Sequence, residues 1–337
     1  MDVEIHPLFW FFMNSNIEKI IDKAFSDASI SDLYVCIGNY ETGDILYEYE
    51  KHNNADRKYF DLASLTKMLV GYDLFYKSGI DSNSTLDEFL PEFSSFPNLQ
   101  KIKVLSLLTH ESGLKPWKNF WIKNLESSFS SYQKRHEKIL SLFLRYDEKD
   151  LLQDSSEYLY SDLNYILLGI IIERAANRSL KDIVNKKDYF FLETPRDNSK
   201  QFVDYGYCAL RKKQIQGFVH DENCFSFSGI SAHAGLFSSS NALKDQLQEF
   251  LNCHHKRLVN IQSNYPTRGG LQFQDSGDLL FGRIALGHLG FVGNDIWFDP
   301  SSSKFFILLS NRVKYGRLSS FMKDFRNNLY KEFSTEI

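Results

Sequence analysis

Cysteine is scarce in this chain, and its spacing argues against a metal-stabilised or disulfide-stabilised fold. The 337 residues contain four cysteines, Cys36, Cys208, Cys224 and Cys253. No two of them lie close in sequence, so neither a CxxC pair nor a Cys/His zinc spacing is present, and we expect no structural zinc. A chain of this length can bury about three quarters of its unfolded surface, so it needs neither device to hold a core.

An excess of basic residues and a long hydrophobic run are also missing. Lys and Arg number 39 against 43 Asp and Glu, a net charge of −4, whereas nucleic-acid-binding domains usually carry a basic excess. The most apolar stretch, near residues 165–172, is too short to cross a bilayer. The acidic first residues 1–6 do not resemble a secretory signal. The sequence therefore predicts no nucleic-acid partner, no integral membrane segment and a cytoplasmic location.

The overall composition is that of an ordinary globular protein. Hydrophobic residues make up 43% and charged residues 24%, which excludes extensive disorder. The length allows about two domains, or one large domain with an insertion. Neither a phosphate-binding glycine loop nor a G-x-S-x-G motif occurs, which disfavours a nucleotide enzyme and an α/β-hydrolase.

The hydrophobic pattern changes from strand to helix and back to strand along the chain. Strand-like runs occur at 33–38, 44–49, 283–287, 295–298 and 304–309, and helical patterns at 16–25, 65–76, 104–109, 163–175 and 320–333. We predict an α/β (α+β) fold in which an antiparallel sheet, built from both chain ends, is flanked by helices and carries a mainly helical insertion. The predicted sheet part covers about 1–62 and 240–337, and the helical part about 63–239.

One serine–lysine pair stands at the start of a predicted helix. Ser64 and Lys67 fit the pattern S-x-x-K, and Ser64 lies where the non-helical segment 59–63 enters the helix. Lys67 follows one turn later on the same face, and a neutral, desolvated lysine can activate a serine hydroxyl. A structural pair, in which Ser64 is a helix N-cap and Lys67 a solvated lysine, fits this position as well as a catalytic pair does. The same spacing occurs at Ser112, Ser131, Ser301 and Ser320.

Further motifs accompany this pair in a fixed order along the chain. They are F-D-L-A-S-L-T-K at 60–67, L-L-T-H-E-S-G-L at 107–114, Y-S-D-L-N-Y at 160–165, G-F-V-H-D-E-N at 217–223, H-A-G-L-F-S at 233–238 and G-H-L-G at 287–290. Together they resemble the class C β-lactamase-related serine hydrolases, which include penicillin-binding DD-peptidases and esterases of the β-lactamase fold. The resemblance implies a single β-lactamase/transpeptidase-like catalytic domain over 1–337.

The resemblance also implies roles for individual residues. Ser64 would be the nucleophile, Lys67 its activating partner, and Tyr160 the general base in acylation and the acid towards the leaving group. The backbone N–H groups of Ser64 and Phe291 would form the oxyanion hole, where negative charge develops. The substrate-binding positions would be Asp162, His288, Leu289 and Gly290.

Three of these positions depart from the family pattern. Asp162 replaces the usual asparagine, and a carboxylate there would favour the charged form of Lys67. His288 replaces the lysine of the K-T-G motif, which weakens the anchor for a substrate carboxylate because histidine is mostly neutral at pH 7. Leu289 replaces the threonine of this motif and removes a hydroxyl that can donate a hydrogen bond to the substrate. The last two departures therefore favour an esterase or an unusual peptidase over an efficient β-lactamase.

The sequence thus predicts a serine hydrolase that acts through an acyl-enzyme on a small ester or a D-amino-acid-type amide, with no cofactor and no metal. Two alternatives stay open: a DD-carboxypeptidase or β-lactamase acting on peptidoglycan peptides or β-lactams, and a non-catalytic binding module of the same fold. The polar cluster 220–223 lacks the spacing of helical metal ligands, and we interpret it as a hydrogen-bonded loop that shapes the cleft. The oligomeric state is left open.

Overall fold

The computed structural model describes residues 7–27, 29–121, 128–153, 157–193, 201–264, 271, 275–317 and 320–334. The predicted domain limits at residues 1 and 337 lie outside this part. The strands are β1 (Asp32–Asn39), β2 (Ile45–His52), β3 (Phe60–Asp61), β4 (Tyr189–Phe191), β5 (Tyr207–Cys208), β6 (Lys213–Gln214), β7 (Leu236–Ser238), β8 (Leu286–Gly290), β9 (Asn294–Asp299) and β10 (Lys304–Ser310).

The helices are interleaved with these strands. They are α1 (Pro7–Ser26), α2 (Asp73–Lys77), α3 (Leu86–Phe89), α4 (Val104–Leu108), α5 (Tyr132–Phe143), α6 (Glu148–Leu151), α7 (Asp162–Ala176), α8 (Leu180–Val184), α9 (Glu222–Ser226), α10 (Ser240–Asn264), α11 (Asp275–Phe281) and α12 (Phe321–Ser334). A π-helical turn spans Lys67–Tyr72, and 3₁₀ turns span Pro91–Ser95, Leu99–Lys101 and Arg312–Tyr315. No helix in the described part of the chain is long and apolar enough to cross a membrane.

A five-stranded antiparallel sheet joins the two ends of the chain. Its strand order is β2-β1-β10-β9-β8, so the N-terminal hairpin pairs directly with the last strand of the chain. The pairing confirms the predicted α+β fold, with a sheet from both chain ends and helices between them. The division into a sheet part and a helical part at residues 62 and 240 stays a prediction.

Both faces of the central part of this sheet are buried, as β1 shows, whereas the residues of the edge strand β2 are exposed or half-buried. The side chains of β1 alternate, as those of a strand must. Leu33, Val35 and Ile37 belong to one hydrophobic cluster, which includes residues of α1 and α12. Tyr34 and Cys36 belong to a larger cluster on the opposite face, which includes the helical part of the chain. The sheet is therefore a layer between two helical layers.

The strand predicted at 283–287 begins later than expected. Strand β8 starts at Leu286, which pairs with Phe298 of β9. The preceding backbone N–H, that of Ala285, donates to Asp278 Oδ1 at 2.7 Å, so this donor serves the end of helix α11 instead of the strand ladder. As a result the segment that reaches the candidate site is 286–290.

Helix α7 lies at the centre of the helical part. All its residues from Leu163 to Glu173 are buried, which explains why its sequence is apolar on every side. The helix begins at Asp162, where the N-cap Ser161 accepts a hydrogen bond from the Asn164 N–H. Its first turn therefore presents Asp162 towards the start of the π-helical turn.

Candidate active site

Ser64 follows a backbone turn that is held in place by a buried carboxylate. Strand β3 ends at Asp61, and Ala63 adopts the left-handed conformation with φ of 47°, which is uncommon for a residue with a Cβ. The Asp61 Oδ1 atom accepts a hydrogen bond from the Ala63 N–H at 2.8 Å and so supports this conformation. The helix starts at Leu65, which leaves Ser64 half-buried at its entrance.

Lys67 contacts Ser64 from the first residue of the π-helical turn. Its Nζ atom donates to Ser64 Oγ at 2.9 Å and to the backbone oxygen of His233 at 3.0 Å, and it lies 2.7 Å from Asp162 Oδ1. Burial of Lys67 opposes its charge, but the Asp162 carboxylate outweighs this penalty and raises the pKa of Lys67. The lysine is therefore an ammonium at neutral pH.

Tyr160 completes the group around Ser64. Its ring centroid is 5.0 Å from Lys67 Nζ and 4.8 Å and 5.8 Å from the rings of His110 and His288. Burial raises the pKa of Tyr160, while interactions with Lys67 and Ser64 act in the opposite direction. The phenol is therefore protonated at neutral pH.

His110 and Ser112 of the predicted L-L-T-H-E-S-G-L motif lie behind Tyr160. The Nδ1 atom of His110 accepts hydrogen bonds from the Ser161 N–H and from Asn164 Nδ2, each at 3.1 Å. Ser112 Oγ donates to Asn164 Oδ1 at 2.5 Å. Burial lowers the pKa of His110 well below its usual range. The motif therefore positions the first turn of α7 and with it Tyr160.

Strand β8 forms the opposite wall. A Cβ atom added to Gly290 would lie 3.2 Å from the backbone oxygen of Leu62, so this position brings the strand close to the turn before Ser64. His288 is buried and its Nδ1 atom donates to the Leu289 backbone oxygen at 2.8 Å. Burial, followed by the charge of Lys67, lowers the pKa of His288 to about 3. His288 is thus a neutral group at neutral pH.

These groups surround a cavity of about 740 Å³. Ser64, Tyr160 and Asp162 lie in its wall together with Leu289, Gly290 and Phe291, while His288 is set back behind the lining. The structure therefore brings Ser64, Tyr160 and Asp162 to one cavity with three of the four predicted positions of β8 and the turn after it, while Lys67 is buried behind the lining. Among the described residues, no group of three His, Cys, Asp or Glu side chains is arranged to hold a metal ion.

The polar cluster 220–223 borders the same cavity. The His220 N–H donates to Asp61 Oδ2 at 2.6 Å. Asp221 Oδ1 accepts from the Cys224 N–H at 2.7 Å and contacts His233 Nε2 at 2.9 Å. The cluster is therefore tied to the turn before Ser64 and to the residue whose backbone oxygen contacts Lys67.

A group of basic residues in the cavity wall was not predicted from the sequence. They are Arg312, Arg317, Lys323 and Arg326. The signal was present, since segment 312–326 contains five basic residues and one acidic residue. It carries no information on where these side chains point, because that depends on how the 3₁₀ turn after β10 and helix α12 lie against β8.

Comparisons with known proteins point to one family. A family model described as Beta-lactamase matches residues 35–188. A Bacillus subtilis (strain 168) protein named N-acetylmuramyl-L-alanine amidase is 26% identical over 81% of this chain and 72% of its own. A Salmonella agona (strain SL483) protein named as a D-alanyl-D-alanine carboxypeptidase is 27% identical over 75% of this chain and 69% of its own. The family model and these relatives support the resemblance of the chain to the β-lactamase-related serine hydrolases.

Solved structures agree with the family at the level of the fold. A hydrolase described as having promiscuous acyltransferase activity superposes with a TM-score of 0.68 over 96% of this chain and 98% of its own, at 16% identity. This likeness shows the fold, and the family model and the curated relatives confirm the resemblance inferred from the motifs.

Proposed function

We propose that this hydrolase cleaves a small ester or a D-amino-acid-type amide through an acyl-enzyme, with Ser64 as the nucleophile. The observation that carries the proposal is the chain of contacts from Ser64 Oγ to Lys67 Nζ at 2.9 Å and on to Asp162 Oδ1 at 2.7 Å, at the wall of a cavity. Burying a lysine beside a carboxylate costs desolvation energy. A structural N-cap serine followed by a solvated lysine would not require this burial.

The charge of Lys67 supports Tyr160 as the group that transfers the proton. An ammonium has only donors, so it stabilises the Ser64 oxygen but cannot take the hydroxyl proton. Tyr160 would accept that proton as Ser64 attacks the substrate carbonyl carbon, and would give its own hydrogen to the leaving-group atom. The phenol then begins and ends the acylation step neutral, which suits a tyrosine whose pKa is raised by burial.

Two backbone N–H groups are available for the negative charge of the tetrahedral intermediate. Ser64 and Phe291 both border the cavity. Within the described part of the chain, neither backbone N–H donates to a protein acceptor. Fixed donors of this kind stabilise the developing oxyanion without further rearrangement, which supports the oxyanion-hole role for this pair.

Strand β8 and the names of the relatives support this substrate class. Leu289 has no hydroxyl, and His288 has no charge at neutral pH. Strand β8 therefore lacks the groups with which a K-T-G strand binds the carboxylate of a β-lactam. One relative is named as an amidase and one structural neighbour as a hydrolase with acyltransferase activity, and both names fit acyl transfer from esters or amides. The second candidate is a DD-carboxypeptidase, which the name of the other relative favours.

Intact-mass spectrometry after exposure to acylating substrates tests the proposal. A short-chain p-nitrophenyl ester, a D-amino acid amide and nitrocefin would be compared, and we expect a covalent adduct on the wild-type protein with the ester or the amide. Ser64→Ala should remove the adduct. Ser320→Ala is the matched control, because Ser320 lies in the same cavity wall and has Lys323 at the same spacing. An adduct that persists in Ser64→Ala would refute the assignment.

A further inference from the structure

Asp61, at the end of β3, keeps a carboxylate in a fully buried position. Its Oδ1 atom accepts a hydrogen bond from the Ala63 N–H at 2.8 Å, and its Oδ2 atom accepts one from the His220 N–H at 2.6 Å. Burial raises the pKa of Asp61 to about 6, so the fold opposes a charge that is nevertheless present at neutral pH. A perturbed carboxyl of this kind beside a cavity is typical of a functional site.

One oxygen of Asp61 acts on the residue before the proposed nucleophile. Ala63 has a φ of 47°, and its N–H is the donor to Asp61 Oδ1. The peptide unit that follows Ala63 carries the N–H of Ser64, and this unit is planar, so the direction of that N–H depends on the backbone angles of Ala63. Asp61 thereby influences the first donor of the proposed oxyanion hole.

The other contacts of Asp61 lead to the second donor, the N–H of Phe291. The ring of His220, whose N–H donates to Asp61 Oδ2, lies 5.7 Å from the ring of Phe291, centroid to centroid. The backbone oxygen of Asp61 accepts a hydrogen bond from Asn294 Nδ2 at 2.8 Å, and Asn294 is the first residue of β9 after the turn that contains Phe291. Asp61 is therefore connected to this turn from two sides.

The hydrogen bond from His220 depends on a charged acceptor. Arg211 Nη1 donates to the Val219 backbone oxygen at 2.6 Å, and this oxygen belongs to the same peptide unit as the His220 N–H. The peptide unit is thus held between a cation and an anion, and hydrogen bonds to charged partners are about twice as strong as neutral ones. An ionised carboxylate has two acceptor oxygens for the two N–H donors, whereas a carboxamide has one.

We propose that Asp61 is a positioning residue, whose carboxylate holds the N–H groups of Ser64 and Phe291 where the negative charge of the tetrahedral intermediate develops. Asp61 itself lies behind the cavity wall and does not border the cavity, so it acts through these two residues. The inference rests on the proposed acyl-enzyme function. It adds that the hydrolase requires a charge outside its group of reacting residues.

The neighbours of Asp61 keep a constant charge near pH 6. The groups that face it from the elements packed against it are Tyr205, Cys224, His220, Asp221 and Arg211. Burial raises the pKa values of this tyrosine and cysteine and lowers that of the histidine to about 3, so the three are neutral. The interaction with His233 outweighs burial and lowers the pKa of the aspartate, and arginine is a permanent cation. Within this set, Asp61 is the group that titrates.

The pH dependence of kcat/KM for p-nitrophenyl acetate tests this role. For the wild type, kcat/KM should fall as the pH decreases through about 6, because a protonated Asp61 has a donor where an N–H needs an acceptor. Asp61→Asn should lower kcat/KM at neutral pH by about tenfold to a hundredfold, part of the contribution of one oxyanion donor, and should lose this acid limb. Phenylboronic acid forms a tetrahedral adduct with a nucleophilic serine, and its binding should weaken by the same factor.

Two further variants control the measurement. Asp299→Asn is the matched control, because Asp299 is also buried and its Oδ1 atom accepts from the backbone N–H two residues later, that of Ser301, at 3.0 Å. It lies at the end of β9 opposite to Asn294 and outside the cavity wall, so kcat/KM and the acid limb should not change. Arg211→Met leaves Asp61 in place and removes a cation that lowers its pKa, so the acid limb should move to higher pH. Circular dichroism and thermal unfolding establish that each variant is folded.

The outcomes separate the positioning role from the function on which it rests. The role is overturned if kcat/KM of Asp61→Asn stays within about threefold of the wild type, or if the acid limb persists in this variant. It is also overturned if activity falls without a matching loss of phenylboronic acid binding, or if the limb does not move in Arg211→Met, which tests the role even where Asp61→Asn does not fold. In each of these cases the hydrolase proposal stands. If no ester forms an adduct at Ser64, the proposed function fails and the positioning role fails with it.

Discussion

Lys67 shows how one substitution in a motif changes the chemistry of its neighbours. The sequence alone indicated that a carboxylate at position 162 would favour the charged lysine, and the contact of 2.7 Å between Lys67 Nζ and Asp162 Oδ1 agrees with that reasoning. The sequence could not indicate that the third partner would be the backbone oxygen of His233, because that residue is brought in by tertiary packing. Each of the three N–H groups of the ammonium thereby has an acceptor: Ser64 Oγ, the His233 backbone oxygen and Asp162 Oδ1.

Asp162→Asn should move the alkaline limit of activity to lower pH. The variant removes the attraction that raises the pKa of Lys67 and leaves the burial penalty, so the pKa of Lys67 must fall. If the ammonium is the active form, the alkaline limb of the kcat/KM profile against pH moves in the same direction. Asp147→Asn, at a side chain that is 77% exposed, makes the same change in net charge and should leave the profile in place. A limb that stays, or moves to higher pH, contradicts this account.

Tyr160→Phe should lower kcat/KM at least about a hundredfold, which is the usual contribution of general acid–base catalysis. The change keeps the ring that packs against His110 and removes only the oxygen that would carry the proton. Tyr158→Phe is the control, since this ring also lies near His110, at 5.9 Å. Near-full activity of Tyr160→Phe on both an ester and an amide would make Tyr160 a structural residue.

The helix that begins at Leu65 was predictable, but its π-helical turn was not. Apolar side chains at helical spacing and Gly79 at the end marked the element, and the structure continues it from Leu65 to Lys77. The widened turn at Lys67–Tyr72 has no local signal, and a ring from another helix packs against it. A Cβ on Gly71 would lie only 2.5 Å from Tyr165 Cδ1 of α7. This close approach sets the distance between the element that carries Lys67 and the one that carries Asp162.

Gly71→Ala should therefore destabilise the protein by about 1–3 kcal/mol, the cost of overpacking a filled core. In an ordinary helix the same substitution would stabilise it by about 1 kcal/mol, so the sign of the change in the free energy of unfolding is decisive. Urea denaturation of Gly71→Ala, Tyr165→Leu and the double variant gives the coupling between the two positions. We expect the smaller side chain to offset much of the alanine penalty, and additive effects would show that the contact does not set the spacing.

At the scale of the whole molecule, the topology decides which residues meet. The hydrophobic runs near both ends of the chain were enough to predict the sheet, because a strand is recognised from the local pattern of apolar residues. The meeting of Ser64, Tyr160 and Phe291 at one cavity was predictable only through the family resemblance. The basic wall at Arg312 was not predictable at all, since the role of a charged residue after the last strand depends on how α12 crosses the sheet edge.

Buried histidines make the stability of the whole chain depend on pH in two directions. His220 and His288 have pKa values lowered to about 3, chiefly by burial, and the pKa of His110 is also lowered. The unfolded chain therefore binds more protons than the folded one between about pH 3 and 6.5, and stability is lost as the pH falls through this window. The carboxyls of Asp61 and Asp295 act in the opposite sense, because burial raises their pKa values, that of Asp61 to about 6. The lowered pKa values of Asp204, Asp221 and Asp299 add to the effect of the histidines.

His52 acts on the alkaline side. Burial opposes its charge, but Asp32 and Glu50 outweigh the penalty and raise the pKa of His52 to about 9. Its contribution is complete below about pH 6.5 and is lost as the pH rises towards 9. We therefore expect the free energy of unfolding, measured by urea denaturation from pH 4 to 9, to be greatest near pH 6.5. His52→Gln should flatten the alkaline side alone. A wild-type profile that still rises from pH 6.5 to 9 would mean that the pairing of His52 with Asp32 and Glu50 does not hold its charge in the folded protein.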